Sequence, residues 1–362
     1  MSSQTSQAEA SVRPGSVMVV VSDYRGHRLL YIRSIIEESH RRNRPIILLG
    51  CSGFLKSDEY ALHISGLRTD LVAEVSQVDF STVRKIAKRY GASTVIIPDG
   101  DQFLPSATFR RWKQGELRLL VMRAPSFPPS RPVNLVKLLC IWIASFRKNI
   151  SVFVLTSALR RTVKRFEVRD PIYIEQSNAM VGRAIADEIF GSRVERPYCF
   201  GVVGSVTWRK NIDLVLDACV ALDFDWMLIF AGKIEPRVRR VITSSVASNP
   251  DFAQRIVIID RLLTDAELDH VIRTIDCIIL AHSNDGPSGV MGRASAIGTR
   301  VVAAGAPTLE KDCLDWPEGA EFTRLGASSI GDAMNRAMRL SKPQPNIGTL
   351  NSQPDFLRKM IG

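Results

Sequence analysis

Arg209 and Lys210 stand side by side between an apolar run at 198–203 and a second apolar stretch that opens at Ile212. Two adjacent cations placed where a strand gives way to a helix can neutralise a polyanion and stabilise negative charge that grows on it during a reaction. Gly204 and Ser205 open the same loop, and Gly232 and Lys233 repeat the pattern after the next apolar run. Farther on, residues 285–307 read DGPSGVMGRASAIGTRVVAAGAP. A turn at Asp285-Gly286-Pro287 leads there through Ser288, Gly289 and Val290 into a helical stretch that carries Arg293 and stops at Gly298. A helix entered from a Gly/Ser step turns unpaired N–H groups and the positive end of its dipole towards an anion. In the first half, Gly26-His27 follows the first apolar run, and Asp99 and Asp101 follow a later one. Acidic loops at strand ends can orient hydroxyls.

These residues need strands that deliver them to one edge of a sheet. Residues 17–21 form a β-branched and Met run, the pattern of a strand buried on both faces. A helix follows over 28–43, with Leu29, Leu30, Ile32, Ile35 and Ile36 as its apolar side, and Pro45 ends it before a strand at 46–49. Strand, helix, strand implies a parallel sheet. The first half continues with a helix at 83–90, strands at 94–97 and 117–122, a Pro-rich loop at 125–132, a helix at 135–147 and a strand at 152–155. Asp170-Pro171 marks a turn, and a helix follows at 178–189. The second half has strands at 198–203, 226–230, 256–259, 277–280 and 301–304, with helices between them. Thr264-Asp265-Ala266-Glu267 is a capping signal for one of these helices. Four successive strands end at Gly204, Gly232, Asp260 and His282, so in a parallel sheet their loops line one edge, large enough together for a nucleotide-sized ligand. The expected fold is α/β, two Rossmann-like domains facing a cleft. It comprises a disordered tail at 1–16, a first domain at 17–175, a second at 176–342, and a tail at 343–362 whose helix returns to the first domain.

With 362 residues, the chain has room for two such domains. A net charge of +11 implies anionic company, whether nucleic acid, nucleoside diphosphates or an acidic membrane surface. No zinc-finger, homeodomain or RNA-recognition signature accompanies the basic groups, so nucleic acid is not the expected partner. The six cysteines are scattered without a CxxC pair, and the five histidines lack ligand spacing. That pattern points to free thiols in a reducing compartment and to no metal. The first residues lack the basic-then-apolar order of a secretory leader. The longest apolar run, 135–146, is interrupted by Lys137 and is shorter than the roughly 20 residues that span a bilayer. It reads as a buried helix, or alternatively an interfacial one. A cytoplasmic protein is expected.

Between Gly201 and Pro307 the second half resembles the nucleotide-sugar domain of retaining glycosyltransferases of the GT-B fold, in particular glycosyltransferase family 4. Gly204 through Arg209-Lys210-Asn211-Ile212 resembles the family's Gly…Arg-Lys-Gly segment, and Ile229 to Gly232 its Gly-ended strand. The loop and helix from Leu263 to Thr274-Ile275-Asp276 resemble the stretch before its "aaD" signal. Ala294-Ser295-Ala296-Ile297-Gly298-Thr299-Arg300-Val301-Val302 resembles its "EAMACGTPVV" ending. The chain departs from the pattern at four positions. The family's Glu-x7-Glu pair falls on Asp285 and Arg293, its first phosphate-loop Arg on Ser205, and its Gly after Lys on Asn211.

The resemblance implies a retaining, hexosyltransferase-like enzyme that takes a nucleoside-diphosphate sugar as donor substrate and needs no cofactor. The implied catalytic residues are Arg209, Lys210, Asp285 and His27. Gly204, Ser205, Gly232, Lys233, Ser288, Gly289, Val290 and Arg293 would hold the donor, and Gly26, Asp99 and Asp101 would face a glycan, lipid-linked or small-molecule acceptor. Arg293 cannot accept hydrogen bonds from ribose hydroxyls as a Glu would, and favours phosphate or carboxylate. The departures at Arg293 and Ser205 suit a second reading, a catalytically impaired binding or scaffold protein, and a weaker third reading is a GT-B-type nucleotide-sugar epimerase using His282 and Asp285. Arg41, Arg42, Arg44, Arg110, Arg111 and Lys113 lie next to apolar segments, so contact with an anionic membrane is an added expectation.

Overall fold

The computed structural model describes residues 15–24, 28–123, 132–175, 178–193 and 195–362. The chain forms two units, Met1–Leu155 with Leu357–Gly362, and Thr156–Phe356. Apolar runs without alternation become the middle strands of parallel sheets, because helices cover both faces there. The strands of the first unit are β1 (Val17–Val21), β2 (Ile46–Cys51), β3 (Leu71–Val75), β4 (Thr94–Ile97), β5 (Glu116–Val121) and β6 (Ile150–Thr156). Their order is β3-β2-β1-β4-β5-β6, and the second unit begins with a short strand, β7 (Glu167–Arg169). Strands β1 to β6 all pair in parallel. Every residue of β1 is buried, and the helix Arg28–Arg41 lays Leu29, Ile32, Ile35 and Ile36 against the sheet.

The stretch between β2 and β4 holds elements that the apolar pattern did not announce. Ser57 caps a helix at Asp58–His63 by accepting from the Tyr60 N–H, and β3 forms the sheet edge. An edge strand is covered on fewer sides, and β3 is only half-buried with Glu74 exposed, so its sequence shows little contrast.

The boundary between units falls at Leu155, ahead of the expected 175, and the second unit runs on to Phe356 where 342 was expected. The last helix, Ser352–Ile361, begins in the second unit, and its final residues belong to the first. Arginines of the first unit satisfy the carbonyls that the helix end leaves open. Arg44 donates to the Ile361 carbonyl at 3.1 Å, Arg118 to that of Lys359 at 3.2 Å, and Arg42 to that of Gly362. Arg42 and Arg44, expected at a membrane surface, are therefore used inside the fold. Arg42 also pairs with Glu38, and Arg44 bonds Thr94.

The second unit contains β8 (Tyr198–Val203), β9 (Trp226–Ala231), β10 (Ile256–Ile259), β11 (Cys277–His282), β12 (Arg300–Gly305) and β13 (Ala320–Thr323). They pair in parallel in the order β10-β9-β8-β11-β12-β13. Successive side chains of β8 go to opposite cores. Cys199 and Val203 pack with Ile185 and Met291, while Phe200 and Val202 pack with Ile212, Val238 and Met334. In both sheets the strand order reverses beside the first strand, at β1/β4 and at β8/β11. Doubly wound sheets open a ligand crevice at the carboxyl ends of the strands flanking such a reversal.

Candidate functional site

At the β8/β11 reversal, the loops after β8 and β9 touch backbone to backbone. Gly204 leaves β8 with φ +84°, and its N–H donates to the Ala231 carbonyl at 2.8 Å. Gly232 follows with φ +128°, and a β-carbon there would lie 2.1 Å from the Gly204 oxygen. Only glycine fits such a contact, since any side chain would drive the loops apart. The strand pairing continues past the glycines as a parallel bridge between Val206 and Ile234. Glu235 then accepts the Trp208 N–H at 3.0 Å, and the chain winds through a short 3-10 turn, Trp208–Lys210.

Asn211 closes that turn in the left-handed region, φ 45° and ψ 54°, and its amide nitrogen donates to the Ala281 carbonyl at 2.8 Å. This explains one departure from the family pattern. The position requires positive φ, which Gly adopts freely and Asn adopts more readily than other residues. Asn211 also ties the turn to β11, as Gly cannot.

The turn places Lys210 half-buried beneath itself, its Nζ 2.6 Å from the Val203 carbonyl. Burial, and then the charge of Arg209, lower its pKa to about 8. Arg209 is exposed beside it. His282, the last residue of β11, is lowered to about 4 by burial, then by Lys210 and Arg209. Two cations and a neutral imidazole thus share one electrostatic neighbourhood at the reversal. In the sequence His282 reads as a polar strand end and as a candidate epimerase residue with Asp285. Trp208, with Arg237 stacked 3.8 Å above its ring, was not picked out as a site residue.

The helix Gly289–Ile297 begins at the same edge. Ser288 is its N-cap, accepting from the Met291 N–H at 3.3 Å, and Val290 comes 3.5 Å from where a Gly204 β-carbon would sit. Buried Asp170 also reaches this end, 3.8 Å from the position of a Gly289 β-carbon. That carboxylate answers the helix dipole from within the protein. Asp285, Ser205 and Lys233 lie exposed on loops of the same strand ends.

Arg293 is not among these groups. It is 6% exposed, and its guanidinium is taken at both ends by acids of the helix Asp265–Thr274: Nη2 lies 2.7 Å from Asp265, and Nη1 bonds Asp269. Burial alone would lower the Arg293 pKa, but Asp269 and Asp265 outweigh it and raise it. Burial pushes the Asp269 carboxyl up against the pull of Arg293. Arg293 keeps its proton, so the buried guanidinium is held by charge-assisted bonds to both acids. The expectation that Arg293 holds ligand phosphate is corrected: its carboxylates come from this chain, and it fastens one helix to the next.

In the first unit, Asp99 and Asp101 follow β4 at that sheet's reversal, and both are engaged internally. Asp99 pairs with Arg28 at 2.8 Å, and its carboxyl is raised chiefly by burial. Asp101 bonds Lys137 and accepts the Met122 N–H at 2.8 Å. Their expected role as open hydroxyl acceptors is corrected to that of loop anchors. Gly26 and His27 lie outside the described residues.

No protein-family model and no curated protein sequence matches the chain. Among solved structures, it is similar to the Anabaena protein HepE in complex with UDP, at 11% identity over 95% of each chain with a TM-score of 0.64. A glycosyltransferase from Rickettsia africae gives 12% identity over 96% of each chain and a TM-score of 0.69. The UDP-GlcNAc 2-epimerase of Methanocaldococcus jannaschii gives 11% identity over 95% of this chain and 98% of that one, with a TM-score of 0.58. The likeness runs through both Rossmann-like units, and the fold of the chain is the GT-B fold of glycosyltransferases.

Proposed function

We propose that the protein is a glycosyltransferase that takes a nucleoside-diphosphate sugar as donor and transfers the sugar with retention to a glycan, lipid-linked or small-molecule acceptor. The observation that carries this reading is the convergence of Arg209, Lys210 and His282 on the Gly204 loop at the β8/β11 reversal. As the bond from sugar to diphosphate breaks, charge accumulates on the departing phosphate. Arg209 and protonated Lys210 stabilise it, Lys210 from surroundings that burial keeps poorly screened. Gly204 and Gly232 let phosphate approach the backbone closely, Ser205 and Lys233 flank it, and Ser288, Gly289 and Val290 bound the sugar end. Asp285 orients a sugar hydroxyl. That HepE has been solved with UDP and with UDP-glucose supports a donor of this class.

Calorimetric titration with UDP, ADP and GDP tests the reading. At least one binds, and Lys210→Ala weakens it. Failure of all three to bind would refute it. A second reading, sugar epimerisation on the nucleotide, is favoured by the neutral imidazole of His282 beside the phosphate cations and by the fold shared with the archaeal epimerase. Incubating the donor without acceptor separates the two, since only an epimerase yields an isomerised nucleotide sugar.

A further inference from the structure

The helix Pro132–Ser145 in the first unit is apolar on the side that faces away from the sheet. Cys140, Ile141 and Ala144 are buried, as an ordinary core helix requires, yet Leu135, Val136, Leu139 and Trp142 are exposed. Leu135, Leu139, Trp142 and Phe146 follow one another at spacings of four, three and four, so they form a single stripe. Trp142 is 62% exposed and Phe146 73%, and their rings stack edge to face with centroids 5.0 Å apart. Phe109, 74% exposed, joins them from the end of the neighbouring helix Leu104–Phe109. That helix is fixed to the first by Thr108, which donates to the Cys140 carbonyl at 3.2 Å and accepts from Arg147 at 2.6 Å. Contiguous exposed apolar surface of this kind marks a binding face.

Cations border the aromatic end of the stripe. Arg111, Lys113, Arg147 and Lys148 line one depression, with Trp112 at its floor, and Arg110 lies exposed next to Phe109. We infer that this face docks on an anionic lipid bilayer, with the stripe lying in the interface plane, Trp142 and Phe146 at the headgroup boundary, and the depression taking lipid phosphates. Charge complementarity selects this occupant. A second copy packed on the same face about a two-fold axis would bring the two sets of cations together. Nucleic acid would suit the cations but not Leu135, Val136 and Leu139. An anionic bilayer matches both halves of the surface, and Trp is favoured at that depth. No described helix is long and apolar enough to cross a membrane, so the contact is peripheral. This inference does not rest on the glycosyltransferase reading.

Flotation of the full chain with vesicles tests it, using phosphatidylglycerol mixed into phosphatidylcholine, and phosphatidylcholine alone, at low and high salt. Binding to the anionic vesicles, weakened by salt, is expected. Arg111→Gln with Lys148→Gln should reduce binding about 30-fold, taking roughly 1 kcal/mol for each basic group near the surface. Leu139→Ser with Trp142→Ser and Phe146→Ser should abolish it. All five side chains are exposed, so unchanged melting temperatures confirm that the variants fold. On vesicle addition, wild-type fluorescence should shift to the blue, and Trp142→Phe should remove that shift. Failure to float with anionic vesicles overturns the inference, as does equal flotation by both variants. Self-association or RNA binding that these substitutions abolish, without any vesicle binding, overturns it too.

Discussion

Lys210→Met should separate stability from binding at a single side chain. Lys210 holds its proton where burial disfavours charge, with a pKa lowered from 10.5 to about 8. Between those values the unfolded chain binds the proton and the folded chain releases it. The folded state therefore bears the full penalty below pH 8, and stability from this group rises as pH climbs towards 10.5. The difference, 10.5 less 8, is worth roughly 3 kcal/mol at about 1.4 kcal/mol per pKa unit. Methionine removes that penalty but leaves the Val203 carbonyl without its charged donor, a loss of about 1.5 to 3 kcal/mol. At pH 7 the variant should thus equal the wild type or exceed it by up to about 1.5 kcal/mol. Near pH 10 most of the penalty has gone from the wild type, and the comparison swings against the variant by about 2 to 3 kcal/mol. Urea unfolding of both proteins at the two pH values measures this swing. UDP titration in parallel should show affinity about 10- to 100-fold weaker in the variant, the loss of one charged hydrogen bond. Wild-type affinity should itself fall as pH rises through 8, where Lys210 sheds its proton. A variant that is less stable at pH 7 than at pH 10, relative to wild type, would refute the burial argument. UDP binding at undiminished strength would refute the assignment of Lys210 to the phosphate.

Three more outcomes follow from the same geometry. Arg293→Met strands Asp265 and Asp269 and should destabilise the second unit by about 3 to 5 kcal/mol in a urea melt while UDP affinity stays at the wild-type value; reduced affinity without loss of stability would restore Arg293 to the ligand site. Gly232→Ala forces a β-carbon against the Gly204 oxygen at φ +128°, so melting temperature and UDP affinity should fall together, and a neutral substitution would mean the loops are not in contact. His282 is held down from 6.5 to about 4, so the unfolded chain takes a proton that the folded one refuses, and stability present above pH 6.5 drains away as pH falls towards 4, by roughly 3 kcal/mol. His282→Asn should flatten that part of the urea–pH profile, and an equally steep profile would place the titration elsewhere.

What the sequence disclosed about the fold was the set of elements with strong contrast. A run such as Val17-Met18-Val19-Val20-Val21 has no polar face, so it can only be central in a sheet, and the parallel order follows from the helices between such runs. The elements that went unread, such as β3 and the helix Asp58–His63, sit at an edge where burial is partial and apolar pattern weak. For the site, position was readable and partnership was not. Gly204, Lys210, His282 and Ser288 were identifiable as strand ends and a helix start. That the Lys210 ammonium turns back to Val203, or that Arg293 finds two acids more than twenty residues earlier, depends on how separate helices pack. Asp265 was visible as part of a capping signal, and the same helix also presents Asp269 one turn later on the same face.

The family departures at 211 and 293 bear differently on activity. Asn211 preserves the backbone conformation that the turn requires and adds a tie to β11, so the cation loop keeps its shape. Arg293 replaces a carboxylate with a guanidinium, which alone would make the second unit more attractive to anions. Its two aspartates take up that guanidinium inside the fold, in bonds sealed from solvent. In the proposed reading, attraction for a diphosphate at the β8/β11 reversal therefore falls to Arg209 and Lys210. It must also act against the nearby Asp170 carboxylate at the helix start. Replacing both cations, by Arg209→Met with Lys210→Met, should then abolish UDP binding with the Arg293 cluster intact. Residual binding of more than about a hundredth of the wild-type affinity would mean that a group outside this loop holds the phosphate, since two charged hydrogen bonds are worth at least about 3 kcal/mol.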